Sequence, residues 1–155
     1  MKKCLIISGG DYCSLPDQIE YEYVIACDKG VEYASKLGVE PDFILGDFDS
    51  YNGTINLQSA NVQSFPIQKD DSDTMLGIKH ALSLGYTHIT IVCALGGRMD
   101  HTLANIQSMN YVAAHGGICE IISDSEHLVS FTGPVIEIPC KAGYSLSLFV
   151  LFFLL

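Results

Sequence analysis

Short apolar runs that alternate with helix-patterned segments restrict the fold of this chain more than any other feature. Runs such as CLIIS (4–8) and HITIVCAL (88–95) have the length and composition of buried strands. Between the runs, residues 29–38, 71–85 and 100–117 place apolar side chains on one helical face. This alternation predicts an α/β fold, with a mostly parallel sheet and helices on both faces in a Rossmann-like three-layer arrangement.

The pattern changes after about residue 124. HLVSF, VIEIP and YSLSLFV are strand-like runs with no helical segment between them. We therefore expect an α/β unit over residues 1–124 and the incomplete beginning of a β-rich unit over residues 125–155. The last eight residues, 148–155, are all apolar. Because a membrane-spanning helix needs about 20 such residues, we expect an interrupted buried strand there and no membrane partner.

The composition indicates a folded, acidic protein. Of the 155 residues, 48% are hydrophobic and 17% are charged, which is enough apolar material for a core. The formal net charge of −10 repels the phosphates of DNA and RNA, so we expect no nucleic-acid partner. A small phosphate compound remains compatible with this charge, because a divalent cation can bridge carboxylates to phosphate oxygens.

The six cysteines favour a reducing, cytoplasmic environment. Cys4, Cys27, Cys93 and Cys119 lie in apolar runs, where cysteine is typical of a small core residue. No pair has the spacing C-x-x-C, and the N-terminal segment does not have the pattern of a secretory signal. The sequence therefore predicts neither a zinc site, nor a redox site, nor a disulfide framework.

Acidic residues follow several predicted strands or open predicted helices. In a parallel α/β sheet, the carboxyl ends of the strands and the starts of the next helices meet along one edge. We therefore expect acidic side chains that are far apart in the sequence to gather at that edge. They are Asp28, Asp47, Asp49, Asp70, Asp71, Asp73 and Asp100.

Asp47 and Asp49 differ from the others because a single residue separates them. If the strand continues, both carboxylates lie on one face, and their repulsion is costly unless a cation or hydrogen bonds satisfy them. Two or three carboxylates with open positions suit Mg²⁺, which takes water and substrate phosphates as its other ligands. For Asp71, Asp73 and Asp100 taken singly, helix capping worth about 0.3–1 kcal/mol is the simpler explanation.

The segment LGGRMDH (95–101) is a candidate anion-binding turn. Gly96 and Gly97 leave backbone N–H groups accessible, and Arg98 can offer its planar guanidinium to a phosphate. A tight strand-to-helix turn with a solvated Arg98 fits the same residues. His101, in the first turn of the predicted helix, is either a base or an ordinary surface histidine.

Other phosphate-binding signals are weak. Lys69 either reaches a phosphate or is the charge partner of Asp70. No Walker motif and no G-x-G-x-x-G fingerprint is present, and SGGD (8–11) lacks the lysine that a Walker motif requires.

Four motifs, taken in their order, make the chain similar to a known family. ACDKG, PDFILGDFDS, KDDSDTMLGIKHAL and ALGGRMDHTLANI together resemble thiamine pyrophosphokinases over roughly residues 3–145. The resemblance implies an enzyme that transfers pyrophosphate from ATP to the hydroxyl of thiamine, giving thiamine diphosphate and AMP with Mg²⁺ present. It also implies a homodimer formed partly by a β-rich C-terminal domain that covers thiamine, a domain of which this chain carries only the first strands.

The resemblance also assigns roles to the matching residues. It implies Asp47, Asp49 and Asp73 as Mg²⁺ ligands, and Asp49, Asp73 and Asp100 as the catalytic set. Further contacts to ATP or thiamine are implied for Asp28, Lys69, Asp70, Ser72, Arg98, His101 and Asn105.

Three functional interpretations follow from the sequence. The first is a thiamine pyrophosphokinase. The second is a nucleotide-binding remnant with little activity, because the second domain is incomplete. The third is another Mg²⁺-dependent phosphotransferase or phosphatase on the same kind of sheet.

Overall fold

The structure, a computed structural model, describes residues 1–46, 61–63, 71–138 and 142–150, with residues 61–63 described by their backbone alone. Strands and helices alternate within these ranges as the sequence predicts. The strands are β1 (Lys3–Ile7), β2 (Tyr23–Cys27), β3 (Phe43–Leu45), β4 (Asn61–Gln63), β5 (His88–Val92), β6 (Ile118–Ile122) and β7 (His127–Phe131). The helices are α1 (Gly30–Leu37), α2 (Asp73–Ser83) and α3 (Met99–Ala114).

The strands of the described residues form one sheet in the order β4-β3-β2-β1-β5-β6-β7. All neighbouring strands pair in parallel except β6 and β7, which are antiparallel. The chain builds outward from β1 in one direction and then returns to place β5 on its other side. Such a reversal leaves a crevice at the carboxyl ends of the strands, where open α/β sheets bind their ligands.

Helices cover both faces of the sheet, which confirms the predicted fold class. On one face, Ile6 of β1 belongs to a buried cluster with Ile78 of α2 and Val112 of α3. On the other face, Ile7 of β1 packs in a cluster with Val31 of α1. Neighbouring residues of β1 therefore point to opposite layers, as the two-residue repeat of a strand requires. Each such buried side chain contributes about 1.5–3 kcal/mol relative to its exposed state.

Local sequence chemistry sets the ends of two helices. The backbone N–H of Met75 donates to Ser72 Oγ at 3.2 Å, so Ser72 is the N-cap of α2. Gly38 ends α1 with a left-handed φ of 69°, and its N–H reaches the carbonyls of Ala34 and Ser35.

The segment after residue 124 continues the first sheet before it changes character. HLVSF forms β7, which pairs with β6 along its whole length. The other two strand-like runs differ from the sequence-based expectation, because their described residues, 135–138 and 144–150, form no strand. A strand needs a partner to satisfy its backbone, and most of these side chains are exposed. The division of the chain into two domains near residue 125 stays a prediction. In the part of the chain that the structure describes, no helix is long and apolar enough to cross a membrane.

A carboxylate between two imidazoles joins the last three strands. Glu120 of β6 lies 2.6 Å from His88 Nε2 of β5 and 2.6 Å from His127 Nε2 of β7, one oxygen to each ring. The hydrogen bonds from His127 and His88 lower the pKa of Glu120 from 4.5 to about 2. Glu120 is therefore ionised in the folded protein at pH values where the unfolded chain has already taken up the proton.

This difference predicts a pH-dependent contribution to stability. Because the folded-state pKa is the lower one, the contribution is complete above about pH 4.5 and is lost as the pH falls toward about 2. We expect Glu120→Gln to lower the free energy of unfolding by about 1–2 kcal/mol near pH 6, a value reduced for solvent screening. Urea unfolding between pH 6 and pH 3 measures it. The deficit should narrow toward pH 3, and Glu22→Gln, a change at an exposed glutamate, should show no deficit. A deficit that is constant with pH would contradict the assignment.

Candidate functional site

Two loops meet at the crevice beside the carboxyl ends of β1 and β5. We call residues 8–13 the first rim loop and residues 93–98 the second rim loop. The N–H of Gly10 donates to the carbonyl of Cys93 at 2.7 Å, which joins the loops through their backbones. A Cβ added at Gly10 would lie 2.9 Å from that carbonyl oxygen, so the close approach requires glycine. The two rim loops therefore form one continuous border along this edge of the sheet.

Asp28 lies at the same edge, directly after β2. Its N–H donates to the carbonyl of Leu45 at 2.7 Å, and its φ of 52° is left-handed, which is uncommon for a residue with a side chain. A Cβ added at Gly46 would lie 3.1 Å from the Asp28 Cα, and one added at Gly9 would lie 3.6 Å from the Asp28 carboxylate. The Asp28 carboxylate thus borders the first rim loop, and its backbone lies against Gly46, the residue after β3. Strained conformations of this kind cluster at functional sites.

The first residues of α2 are attached to this edge. The Cys27 thiol donates to the Asp73 carbonyl at 3.5 Å, and the hydroxyls of Ser8 and Thr74 share a buried hydrogen bond of 2.8 Å. These contacts place Asp73 beside the ends of β1 and β2, near Asp28. The positive end of the α2 dipole therefore adds to the attraction of this edge for anions.

Arg98 and Asp100 form a two-pronged ion pair at the end of the second rim loop. Arg98 Nε donates to Asp100 Oδ1 at 3.0 Å, and Nη2 donates to the other carboxylate oxygen. The pairing lowers the pKa of Asp100 and raises the pKa of Arg98. Both side chains are largely exposed, at 72% and 61%, so the guanidinium remains accessible to a second anion.

Asp11 is a further acidic residue at this edge, which the sequence does not single out as a site residue. A Cβ added at Gly96 would lie 2.9 Å from the Asp11 Cβ and closer still to its carboxylate, and Gly96 has a φ of 78°. The Asp11 side chain therefore lies directly over the second rim loop. The sequence does carry a signal for this position, because Asp11 follows a predicted strand as Asp28 does.

Asn105 and His101 occupy different positions on α3. Asn105 is only 4% exposed, and its Nδ2 donates to the carbonyl of Ala94 at 2.8 Å, so it supports the second rim loop from inside. His101 is exposed in the first turn of the helix. A contact of either residue with a ligand stays a prediction.

The metal site predicted from the sequence falls partly outside the described residues. Four predicted site residues lie there: Asp47, Asp49, Lys69 and Asp70. Among the residues that the structure does describe, no three His, Cys, Asp or Glu side chains converge to hold a metal ion. Asp28 and Asp73, which lie at the same edge of the sheet, carry carboxylate oxygens, the donors that Mg²⁺ prefers. The donor chemistry of these two residues fits Mg²⁺, and the metal-ligand roles of Asp47, Asp49 and Asp73 stay predictions.

Comparison with known proteins gives a consistent result. A family model described as "Thiamin pyrophosphokinase, catalytic domain" matches residues 18–120. The thiamine pyrophosphokinase of Bacillus subtilis (strain 168) is 32% identical over 115 residues, which cover 69% of this chain and 54% of that protein. The chain therefore spans about half the length of this relative.

Solved structures of similar proteins share the fold. A crystal structure of thiamine pyrophosphokinase from Bacillus subtilis superimposes with a TM-score of 0.70 at 28% identity, covering 81% of this chain and 62% of the other. One of thiamin pyrophosphokinase from Geobacillus thermodenitrificans gives a TM-score of 0.63 at 27% identity, with coverages of 78% and 59%. In each case the similarity covers most of this chain and about three fifths of the solved one.

Proposed function

Because the chain belongs to the thiamin pyrophosphokinase catalytic-domain family, we propose that it transfers a pyrophosphoryl group from ATP to the hydroxyl of thiamine. The observation that carries the proposal is the match of residues 18–120 to the catalytic-domain family. The positions of Asp28, Asp73 and the second rim loop along one edge of the sheet support it. In the proposed reaction, the thiamine oxygen attacks the β-phosphorus of ATP. The bond between that phosphorus and the oxygen bridging to the α-phosphate breaks, AMP leaves, and the hydroxyl proton is released.

The proposed roles follow from charge and position. Asp47, Asp49 and Asp73 are the residues that would hold Mg²⁺, and the ion when bound supplies counter-charge to phosphate oxygens. Arg98 binds a phosphate through its planar guanidinium, with Asp100 holding the fork in one orientation. The reaction forms little new covalent chemistry on the protein, so positioning and electrostatics provide most of the rate.

Nucleotide contacts at the start of α2 complete the proposed binding site. Ser72 and the first backbone N–H groups of α2 form a positive helix end suited to phosphate. Lys69 and Asp70, which precede it in the same motif, are proposed to contact the nucleotide. We also propose that the chain binds thiamine and forms a homodimer. Both are proposals only, because the chain covers 54% of its Bacillus subtilis relative.

The length difference favours a second candidate function. The chain spans 54% of its Bacillus subtilis relative, so the alternative is a unit that binds Mg-ATP with little transfer to thiamine. An AMP-release assay with ATP, Mg²⁺ and thiamine tests the first proposal, with thiamine omitted as the control. Thiamine-dependent AMP supports it, and its absence overturns it. Calorimetric titration with Mg-ATP then separates the alternative, which predicts binding, from a chain without a nucleotide site.

Arg98→Lys tests the proposed phosphate contact. Lysine keeps the charge but loses the two-pronged geometry, so we expect kcat/KM for ATP to fall by about 10- to 100-fold. The midpoint of thermal unfolding should stay within about 2 °C of the wild type, because an exposed ion pair contributes only about 0–1 kcal/mol. A matched change, Lys36→Arg at an exposed position on α1, should leave kcat/KM unchanged. If Arg98→Lys also leaves it unchanged, Arg98 is a solvated turn residue.

A further inference from the structure

Two thiols lie side by side where the rim loops meet. The Sγ atoms of Cys13 and Cys93 are 3.7 Å apart, although 80 positions separate the residues in the sequence. Cys13 is 3% exposed and Cys93 is 1% exposed, so both belong to the packed interior beneath the rim loops. The sequence shows no sign of this pair, because the strand order alone brings the two loops together.

The surroundings of the pair favour Cys13 as the nucleophile. The Cys93 thiol and the Cys93 backbone N–H both lie within hydrogen-bond distance of Cys13 Sγ, the latter at 3.2 Å. These hydrogen bonds lower the pKa of Cys13. The pKa of Cys93 is raised, because deprotonation of its thiol would break the hydrogen bond to Cys13 and because the side chain is buried. A thiolate therefore forms first on Cys13, and the thiolate is the reactive species in disulfide exchange.

The backbone holds the two residues in place. Cys93 has a left-handed φ of 54°, an uncommon conformation for a residue with a side chain. Its carbonyl accepts the hydrogen bond from Gly10 that joins the rim loops. Cys13 lies outside helices and strands between the exposed residues Tyr12 and Ser14, so a local opening of the first rim loop exposes its sulfur.

The other buried cysteines have different neighbours. The thiol of Cys4 contacts the carbonyl of Leu5 at 3.7 Å, and the thiol of Cys27 contacts the carbonyl of Asp73 at 3.5 Å. Burial raises the pKa of Cys119, which holds it in the unreactive thiol form. These residues provide controls with the same chemistry and similar burial.

We propose that Cys13 and Cys93 form a reversible disulfide that links the two rim loops covalently. The Cys13 thiolate attacks one sulfur of a small oxidised disulfide, such as glutathione disulfide, and releases one thiol. The Cys93 thiol then loses its proton, attacks Cys13 Sγ in the mixed disulfide and displaces the second thiol. The protein pair loses two electrons, and the small disulfide gains them to become two thiols. This inference does not depend on the thiamine reaction.

Counting free thiols tests the proposal. The reduced full-length chain is equilibrated without oxygen in glutathione buffers of rising oxidised fraction, acid-quenched, unfolded and labelled with N-ethylmaleimide. Intact-mass measurement should show six labels on the reduced chain and four on the oxidised chain. The oxidised species should have the mass of a monomer, which excludes a disulfide between two chains. Six labels throughout, or a loss of labels only with a doubled mass, would overturn the proposal.

Matched variants assign the pair. Cys13→Ser should keep five labels throughout, and Cys93→Ser should lose at most one label, replaced by the mass of one glutathione adduct at Cys13. Cys4→Ser, in contrast, should fall from five labels to three. A loss of two labels that persists in Cys13→Ser overturns the assignment. If either variant fails to fold, a tryptic digest of the oxidised wild type decides. The proposal requires a disulfide-linked pair of peptides, residues 4–29 and residues 80–98. Fragmentation should place the bond at Cys13 of the first peptide and should show labels on Cys4 and Cys27.

A stability measurement gives a second readout. Because the disulfide closes a long loop in the unfolded chain, the oxidised wild type should unfold at least about 5 °C higher than the reduced form. Dithiothreitol should reverse the shift. Cys93→Ser should show no difference between the two conditions, and a shift of the same size in this variant would contradict the proposal.

Discussion

Asp49→Asn is expected to lower kcat for thiamine-dependent AMP release by about 10²–10³-fold, the usual effect of removing one group that stabilises transition-state charge. The substitution keeps the shape of the side chain but removes a negative charge from the Asp-x-Asp pair with Asp47. A cation held by that pair then loses a ligand of full charge. The Mg²⁺ concentration needed for half-maximal turnover should rise by at least about tenfold, since hard cations bind through carboxylate oxygens.

The control for this variant is Asp17→Asn, the same chemical change at an exposed residue outside the crevice. It should leave both kcat and the Mg²⁺ dependence unchanged. Calorimetry gives a readout that does not require turnover, because Asp49→Asn should weaken Mg-ATP binding while Asp17→Asn should not. Unchanged turnover and unchanged binding in Asp49→Asn would mean that the pair is an ordinary strand end, and the metal assignment would be wrong.

The strands and helices of the α/β unit could be predicted because each depends on nearby residues, whereas two strand-like runs after residue 131 form no strand. Buried parallel strands read as short apolar runs, and Ile6 and Ile7 are apolar in succession because helices cover both faces of β1. Ser72 and Gly38 mark helix ends through bonds to residues within a few positions. The position of Asp28 and Asp73 along one edge of the sheet follows from the parallel topology.

Features that depend on distant contacts could not be predicted. The Cys13–Cys93 pair and the position of Asp11 over Gly96 arise because β5 lies beside β1. The strand pattern of HLVSF also does not specify that β7 pairs with β6. The hydrogen bond from the Asn105 amide to the Ala94 carbonyl likewise joins α3 to the second rim loop, and local patterns do not predict it. Register and partner choice are tertiary properties, and local patterns carry little information about them.

Gly30→Ala is expected to lower the free energy of unfolding by about 3 kcal/mol or more, the upper range for forcing atoms into a packed core. Gly30 is the first residue of α1, and a Cβ there would lie 2.7 Å from the carbonyl carbon of Ile7 and closer still to its oxygen. The next contact is the carbonyl oxygen of Ser8, at 3.0 Å. Both neighbours are backbone atoms, so no side-chain rotation relieves the clash.

The sheet cannot move away because β1 is bonded on both sides, to β2 and to β5. The helix must therefore shift, which separates Val31 from the cluster that it shares with Ile7. Gly30, the glycine in the ACDKG motif, thus allows α1 to pack at the end of β1. A side chain there would also press on the backbone of Ser8 in the first rim loop. Urea unfolding measures the loss of stability directly.

Gly38→Ala at the other end of α1 separates this clash from the general effect of adding a methyl group. Gly38 has a φ of 69° but no atom within 4 Å of an added Cβ, so only left-handed strain opposes alanine, at about 1–2 kcal/mol. We expect Gly30→Ala to be clearly the more destabilising of the two, although its own φ is ordinary. Equal losses would indicate that α1 does not press against β1 at Gly30. In that case the glycine would have to be explained by a ligand that approaches the backbone beside Asp28.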